Sequence, residues 1–275
     1  RAQSVGARGR SGAEKRGLGL HLSLHPTLQF ATSFSNNADV PEGCDVYTNS
    51  SHTRALQCEN NCDIYGNTYT VGNSYVTNHG TLHGAQNETG TSPVADPYAG
   101  LPVPSTSMAC TSNTVITAKT SATSSITPGV YCAGIDVASN KTLTMAPGTY
   151  YIKAKFNMAG NSTLNAYGVT IVLLGDLCVG TGTCVKEKGL GNNVTVNLEA
   201  PTEGVYAGVA LYAVGTGTTI KMQEFSNNVD LNVVGAFYAP HHKFAFHNNA
   251  QFNPAMCAQV VAKVVVFENN ADMGV

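Results

Sequence analysis

The side chains best equipped for chemistry in this chain of 275 residues are its eight cysteines, eight histidines and 17 carboxylates. Their spacing decides what they can do. The Cys58-Glu-Asn-Asn-Cys62 segment has a spacing that zinc tolerates, but no second close Cys or His pair follows at the distance a four-ligand site requires. Cys44, Cys58, Cys62, Cys110, Cys132, Cys178, Cys184 and Cys257 are even in number, which in a chain of extracellular character favours disulfides over metal. Cys178 and Cys184 would close a small loop, and Cys110 and Cys132 bracket the entry to the repeated C-terminal region. His241, His242 and His247 lie close together, but the positions one repeat from His247 are Ser226 and Glu268, and those flanking His241 are Ile220 and Ala262. Such histidines are expected to be ordinary surface residues. His21 and His25 have helical ligand spacing in a segment without helical pattern. Acting on polysaccharide would take clustered carboxylates, yet Asp230 and Asp272 share a column only with Gln251 between them. The glycine-rich pieces at Gly180 and Gly215 lack the Gly-Lys-Ser/Thr ending of a phosphate loop and read as projecting tips. These residues predict no catalytic group, no metal and no cofactor.

One column stands out for contact. Lys221, His242 and Lys263 fall 21 residues apart and should share a face. They read as a solvated basic stripe or, in a functional reading, as a contact for an acidic polymer or a neighbouring subunit. Nucleic acid is not expected as a partner at a net charge of −2 without interleaved aromatics.

The elements that would position these residues follow from composition and period. Hydrophobic residues make up 43% of the chain and charged residues 12%, about half the usual charged share, so Asn, Thr, Ser and Gly must cover the surface. That balance suits β structure over helix. No apolar run approaches the ~18 residues of a spanning helix. Three segments then align without gaps at a 21-residue period: Phe225–Leu231, Phe246–Phe252 and Phe267–Met273, each reading Phe-x-Asn-Asn. Earlier copies surround Asn140 and Asn161, and another contains Asn192, its spacings enlarged by insertions of 10 and 14 residues. Repetition at this length means stacked supersecondary units. Apolar residues alternate with polar ones inside each copy, which is strand periodicity.

The fold class expected is therefore all-β: a right-handed parallel β-helix, or solenoid, with rungs of about 21 residues and disulfide-stapled loops. Phe225, Phe246 and Phe267 should form an interior column. Asn140, Asn161, Asn192, Asn227, Asn248 and Asn269 should mark the corner, because Asn accepts left-handed backbone angles and stacked amides can bond in a ladder. The solenoid is expected over 105–275. Residues 44–104 read as an irregular strand-and-turn region, closed by a Pro-rich connector from Ser92 to Pro104 that wraps the solenoid or links two parts of it. Residues 1–43 read as an N-terminal extension, with a net charge of +4 over 1–16 against −6 for the remainder, flexible or docked on an acidic neighbouring subunit.

Several ordered segments carry a family resemblance: Val94-Ala-Asp-Pro-Tyr-Ala-Gly-Leu-Pro-Val-Pro104, Ile126-Thr-Pro-Gly-Val-Tyr-Cys-Ala-Gly-Ile135, Met145-Ala-Pro-Gly-Thr-Tyr-Tyr-Ile152, Gly160-Asn-Ser-Thr-Leu-Asn-Ala-Tyr-Gly-Val-Thr170 and Ala200-Pro-Thr-Glu-Gly-Val-Tyr-Ala-Gly208. From about Ala95 onward the chain resembles the C-terminal portion of bacterial TadE/TadG-like proteins, putative Flp pilus assembly proteins. The resemblance implies an extracellular or envelope protein tied to surface appendages, with no enzymatic residues to carry over. The apolar N-terminal anchor of such proteins is absent here, which reads as a processed or shortened member.

The function expected is that of a cell-surface structural protein, a homo-oligomer assembled head to tail through its solenoid ends. The motive is the C-terminus, where no polar element follows the last Asn corner to cover its strand edges. The rival is a monomeric binding module, either an adhesin for surface polysaccharide or an ice-binding solenoid using Thr142, Thr144, Thr163 and Thr195.

Overall fold

Alternation fixes each short strand with one face in and one face out. In Thr163–Tyr167, Leu164 and Ala166 are buried while Thr163 and Asn165 are half-exposed. A strand this short has no stability alone and must stack. The computed structural model describes residues 19–118, 123–175, 177–179, 193–215, 219–253 and 258–273, and every regular element among them is a strand. They wind into a parallel β-solenoid of about ten turns with rungs of about 21 residues. Each turn carries three strands, on a phenylalanine face, a ladder face and a third face crossed by the proline-rich connector.

The phenylalanine face begins with Ile116–Ala118, Ile135–Val137 and Phe156–Met158, paired in parallel. Higher up, Phe225 pairs with Phe246 and Phe246 with Phe267. The three rings lie one over another, with centroids 5.2 and 4.5 Å apart and planes within 20°. The column continues past the C-terminal rung: Phe34 stacks on Phe267 at 5.4 Å. Centroid separations of about 4.5–7 Å are those at which aromatic pairs attract beyond their area burial.

That fourth ring reveals the order of the rungs. Gln259–Glu268, the last strand of the sequence, has Ala236–His247 on one side and both Gly19–Ser23 and Thr32–Ser35 on the other. Cys44–Thr48 and Leu56–Glu59 follow, and then Thr68–Thr70 and Ser74–Thr77. The expectation of an N-terminal extension over 1–43 is corrected for residues 19–40, which supply the rung strands Gly19–Ser23, Thr32–Ser35 and Asp39–Val40. So is the expectation of an exposed C-terminal edge, which residues 19–35 of the same chain cover. Residues 44–89 belong to the same stack.

The chain must therefore travel from the last rung, Asn87–Thr89, back to the first. The connector does this along the outside of the third face, where Val94, Tyr98 and Leu101 pack on an outward apolar stripe that includes Tyr151, Val172 and Tyr238. Asn49 holds it with two hydrogen bonds, its Nδ2 donating to the Val94 carbonyl and the Val94 N–H donating to its Oδ1, both 2.8 Å. Tyr238 donates to the Asp96 carboxylate at 2.8 Å, and Tyr98 bonds the Gln259 side chain. Burial pushes the Tyr98 phenol up to about 12, with the Asp96 charge adding to the effect. Farther on, Lys153 Nζ donates to the Thr106 and Met108 carbonyls, each at 2.7 Å. The Cys110–Cys132 disulfide then ties the end of the strap to the first rungs. Cys58–Cys62 closes an Asn corner two rungs beyond the C-terminal strand.

The interior turns polar toward the Asn87 end. Thr48 donates to Thr32 and Thr32 to Ser23, a chain of buried hydroxyls at 2.8 Å each. His21 is wholly buried edge-on to Phe267, and burial holds its imidazole down from 6.5 to about 3. A neutral imidazole in the fold that can protonate once unfolded makes stability fall as pH drops from about 6.5 toward 3. Denaturation midpoints measured across that range should show the fall, with a smaller slope in His21→Leu. Phe246→Ala and Phe34→Ala should each cost about 3–5 kcal/mol in denaturant titrations. A loss in Phe34→Ala as large as in Phe246→Ala would reflect rungs from both chain termini sharing one core. Tyr167→Ala, at a side chain 55% exposed, should stay within about 0.5 kcal/mol of the parent.

Candidate functional site

The ladder face gathers most of the outward polar chemistry. Its corner residues sit in the left-handed region, with φ between 51 and 67° for Asn140, Asn161, Asn193, Asn227, Asn228, Asn248, Asn249, Asn269 and Asn270. Their amides form two ladders. One runs Asn140, Asn161, Asn193, Asn228, Asn249, Asn270, Asn37, Asn61, each Nδ2 donating to the Oδ1 one rung before at 2.7–3.2 Å. The other runs Asn227, Asn248, Asn269, Asn36, Asn60 at 2.9–3.2 Å. The single ladder expected from the sequence is thus corrected: Asn140 and Asn161 align with the second Asn of each later pair, since Leu143 and Leu164 share their column with Leu231. Asn192 lies outside the described residues, and Asn193 holds the rung. A third ladder links Asn165, Asn197 and Asn232 at 2.8 Å.

Beside the first ladder runs an outward column: Thr142, Thr163, Thr195, Asp230, Gln251, Asp272, Asp39, Asp63, Thr81. Three carboxylates, Asp272, Asp39 and Asp63, therefore stand on consecutive rungs, where the 21-residue period had shown Asp230 and Asp272 only with Gln251 between them. The register that brings them together depends on the N-terminal rungs stacking on the C-terminal one. Each carboxylate is partly used: the Asp39 N–H donates to Asp272 Oδ1 and the Asp63 N–H to Asp39 Oδ1, both at 3.3 Å. Burial and then the neighbouring negative charge raise Asp272 above the usual carboxylate range; Asp39 is raised by the same two causes, opposed by the Asp63 N–H. At the end of the row His83 Nε2 meets Asp63 Oδ1 at 2.7 Å, and the His83 ring lies flat on Tyr65, centroids 4.4 Å apart. Tyr65 is 47% exposed.

Lys221 is exposed and Lys263 half-buried, but His242 is 7% exposed, its ring between the Lys221 N–H and the Val214 carbonyl. A register shift between Ala239 and Lys243 turns it into the corner, so the basic stripe is broken at its middle. His247 Nδ1 lies 2.7 Å from Glu268 Oε1 one rung up, and that hydrogen bond holds the Glu268 carboxyl below its ordinary range. The expectation of ordinary surface histidines is corrected here for His242 and His247, both buried. Cys58–Cys62 and Cys110–Cys132 are disulfides, and Cys44 is disulfide-bonded as well. The side chains of Cys178, Cys184 and Cys257 lie outside the described residues. No group of three His, Cys, Asp or Glu that could hold a metal occurs among the described residues, and no helix among them is long and apolar enough to cross a membrane.

The two end rungs form the remaining distinctive surface. Among the described residues, Ser74–Thr77, Thr81–Leu82 and Asn87–Thr89 at one end each have a partner on one edge only. At the other, Ile116–Ala118 and Thr123–Ile126 do too. Core residues surface there: Val76 is 41% exposed, and Leu82, Ile116 and Ile126 are partly buried against the core.

Comparison with known proteins found no family model, no curated protein and no solved structure matching the chain.

The carboxylate row yields a test. A raised aspartate contributes stability below its usual value of 3.8 and loses it as pH rises through the raised value. At neutral pH Asp39 is therefore a cost. Asp39→Asn keeps an oxygen for the Asp63 N–H and removes one charge from the row. It should stabilise the protein by roughly 1 kcal/mol near pH 7, allowing for solvent screening. Denaturant titration should show that gain vanish by about pH 3.

Proposed function

We propose that this chain is an extracellular or cell-surface structural protein that joins further copies of itself end to end, as a filament subunit or an associated component of a pilus-like appendage on a bacterial envelope. The observation that carries the reading is the pair of open end rungs. Unpaired strand edges above half-exposed core residues are what natural solenoids cover with a cap. Among the described residues nothing covers either edge, while the connector leaves both ends along the side. A further copy stacked on each end supplies the missing partner strands. A contact of that kind joins unlike surfaces and, where it does not close into a ring, propagates as a filament.

Other features agree. The disulfides fit an oxidising compartment, where small stapled loops persist. The resemblance of residues from about 95 onward to TadE/TadG-like proteins points to surface appendages. The role assigned is non-catalytic. The carboxylate row accepts backbone amides of neighbouring rungs, and His21 is sealed in the core, so both serve the stack itself.

A second reading, a surface module for polysaccharide, has one specific observation in its favour. The exposed Tyr65 ring, held flat by His83 beside Asp63, offers a sugar ring a stacking face next to a hydrogen-bond acceptor. Binding on a glycan array that disappears in Tyr65→Ala would establish it.

Light scattering over a concentration series, with negative-stain microscopy of the same samples, tests the first reading. The mass should climb above the 28.7 kDa of one chain, and the images should show rods one solenoid wide. A constant monomer mass and empty fields at high concentration would end it.

A further inference from the structure

We infer that the end-to-end contact is a continuation of the solenoid in register, with Val76 of one copy seated on Ala118 of the next. The inference rests on the assembly reading above and specifies its interface, partner and polarity. It comes from following each interior column along the whole stack. On the phenylalanine face, Ala118 lies under Val137 and Met158, the column passes through the four rings, and it ends at Cys58 and Val76. Ile116 and Ser74 close the two ends of the neighbouring column. On the ladder face, Ser124 and Leu82 close the ends of the column through Leu143, Leu164, Val196 and Leu231.

Placing one end on the other in register therefore sets Val76 against Ala118, Leu82 against Ser124 and Ile116 against Ser74. In each of these pairs a larger apolar side chain meets a small one; Val76 and Leu82 come from one end and Ile116 from the other. At such a seam the small partner leaves room for the larger side chain, so no two bulky groups compete for the same space. On the strapped face Thr89 and Ser112 close a column together, so a hydroxyl meets a hydroxyl. The two end plates match each other in shape and polarity.

Polarity follows from strand direction. Every inter-rung pairing in the stack is parallel, and head-to-tail joining preserves that direction on all three faces. Like ends could meet only through a two-fold axis across the rod, which reverses the strands and mismatches the columns. The first and last described residues, Gly19 and Met273, stand on adjacent rungs in the middle of the stack, away from both plates.

Two experiments on the full chain decide the matter. In the first, Val76→Cys and Ala118→Cys proteins are mixed under mild oxidation and run on a non-reducing gel. Adjacent parallel strands place inward residues ~4.8 Å apart, within disulfide reach. The mixture should give a band of twice the monomer mass that neither protein gives alone. Val76→Cys mixed with Thr117→Cys, whose side chain points outward, should not. A Val76→Cys dimer formed by itself, or equal cross-linking to Thr117→Cys, overturns the register.

The second needs no oxidation. Val76→Asp spoils one plate and Ile116→Asp the other, so each alone should stay monomeric. Mixed at 1:1, each retains the good end its partner needs, and light scattering should read twice the monomer mass and no more. Higher growth in the mixture, or no dimer from folded variants, also overturns it. Wild-type protein that assembles without the 76–118 cross-link refutes this register while leaving self-assembly standing; wild-type protein that never assembles refutes both.

Discussion

A parallel strand satisfies its backbone only when a neighbour runs along each edge, and that requirement governs the whole molecule. Because the neighbour lies one rung away and has the same direction, each side chain faces the residue in the same place on the next rung. Chemistry that bonds to itself is favoured by this geometry. Asn does so through an amide that both donates and accepts, and Phe through offset stacking. The ladders of eight and five asparagines and the column of four phenylalanines are consequences of one register. The same geometry penalises like charges, and the raised aspartates 39 and 272 show that penalty where Asp stacks on Asp.

Rung order adds a second constraint. The strand latest in the sequence is central in space, flanked on one side by Ala236–His247 and on the other by residues some 230 positions earlier. The N-terminal rungs thus find their platform only when Gln259–Glu268 is in place, a contact of large sequence separation with a correspondingly high loop-closure cost. The strap is the covalent counterpart of that arrangement. It closes the circuit from the last rung to the first, and its tyrosine, asparagine and lysine anchors spread the attachment along the rod.

The end rungs are where this logic stops. Inner rungs have partners above and below, whereas terminal rungs have one, so local opening free energies should fall toward the ends. The core composition follows the same gradient at one end, passing from Phe246 and Phe267 to the buried hydroxyls of Thr32, Thr48 and Ser23 and then to Ser74 and Thr89. An end plate that carries hydroxyls stays in water more readily than a wholly apolar one.

The solenoid class, the strand alternation, the phenylalanine column and the Asn corner were all legible in the sequence, because each depends on a period that survives in the order of residues. Phe34-Ser-Asn-Asn-Ala-Asp39 and Cys58-Glu-Asn-Asn-Cys-Asp63 carry the same motif as Phe267-Glu-Asn-Asn-Ala-Asp272, so the N-terminal rungs left a signal too. A search for a constant 21-residue step passes over it, since neither copy falls on that step from the later ones. Which rung lies on which was decided only in three dimensions. Backbone pairing is indifferent to how far apart two strands are in the chain, so the exposed edge of the C-terminal strand could be covered by the N-terminal residues of the same molecule. The carboxylate row, the burial of His242 and the location of the open ends all follow from that choice.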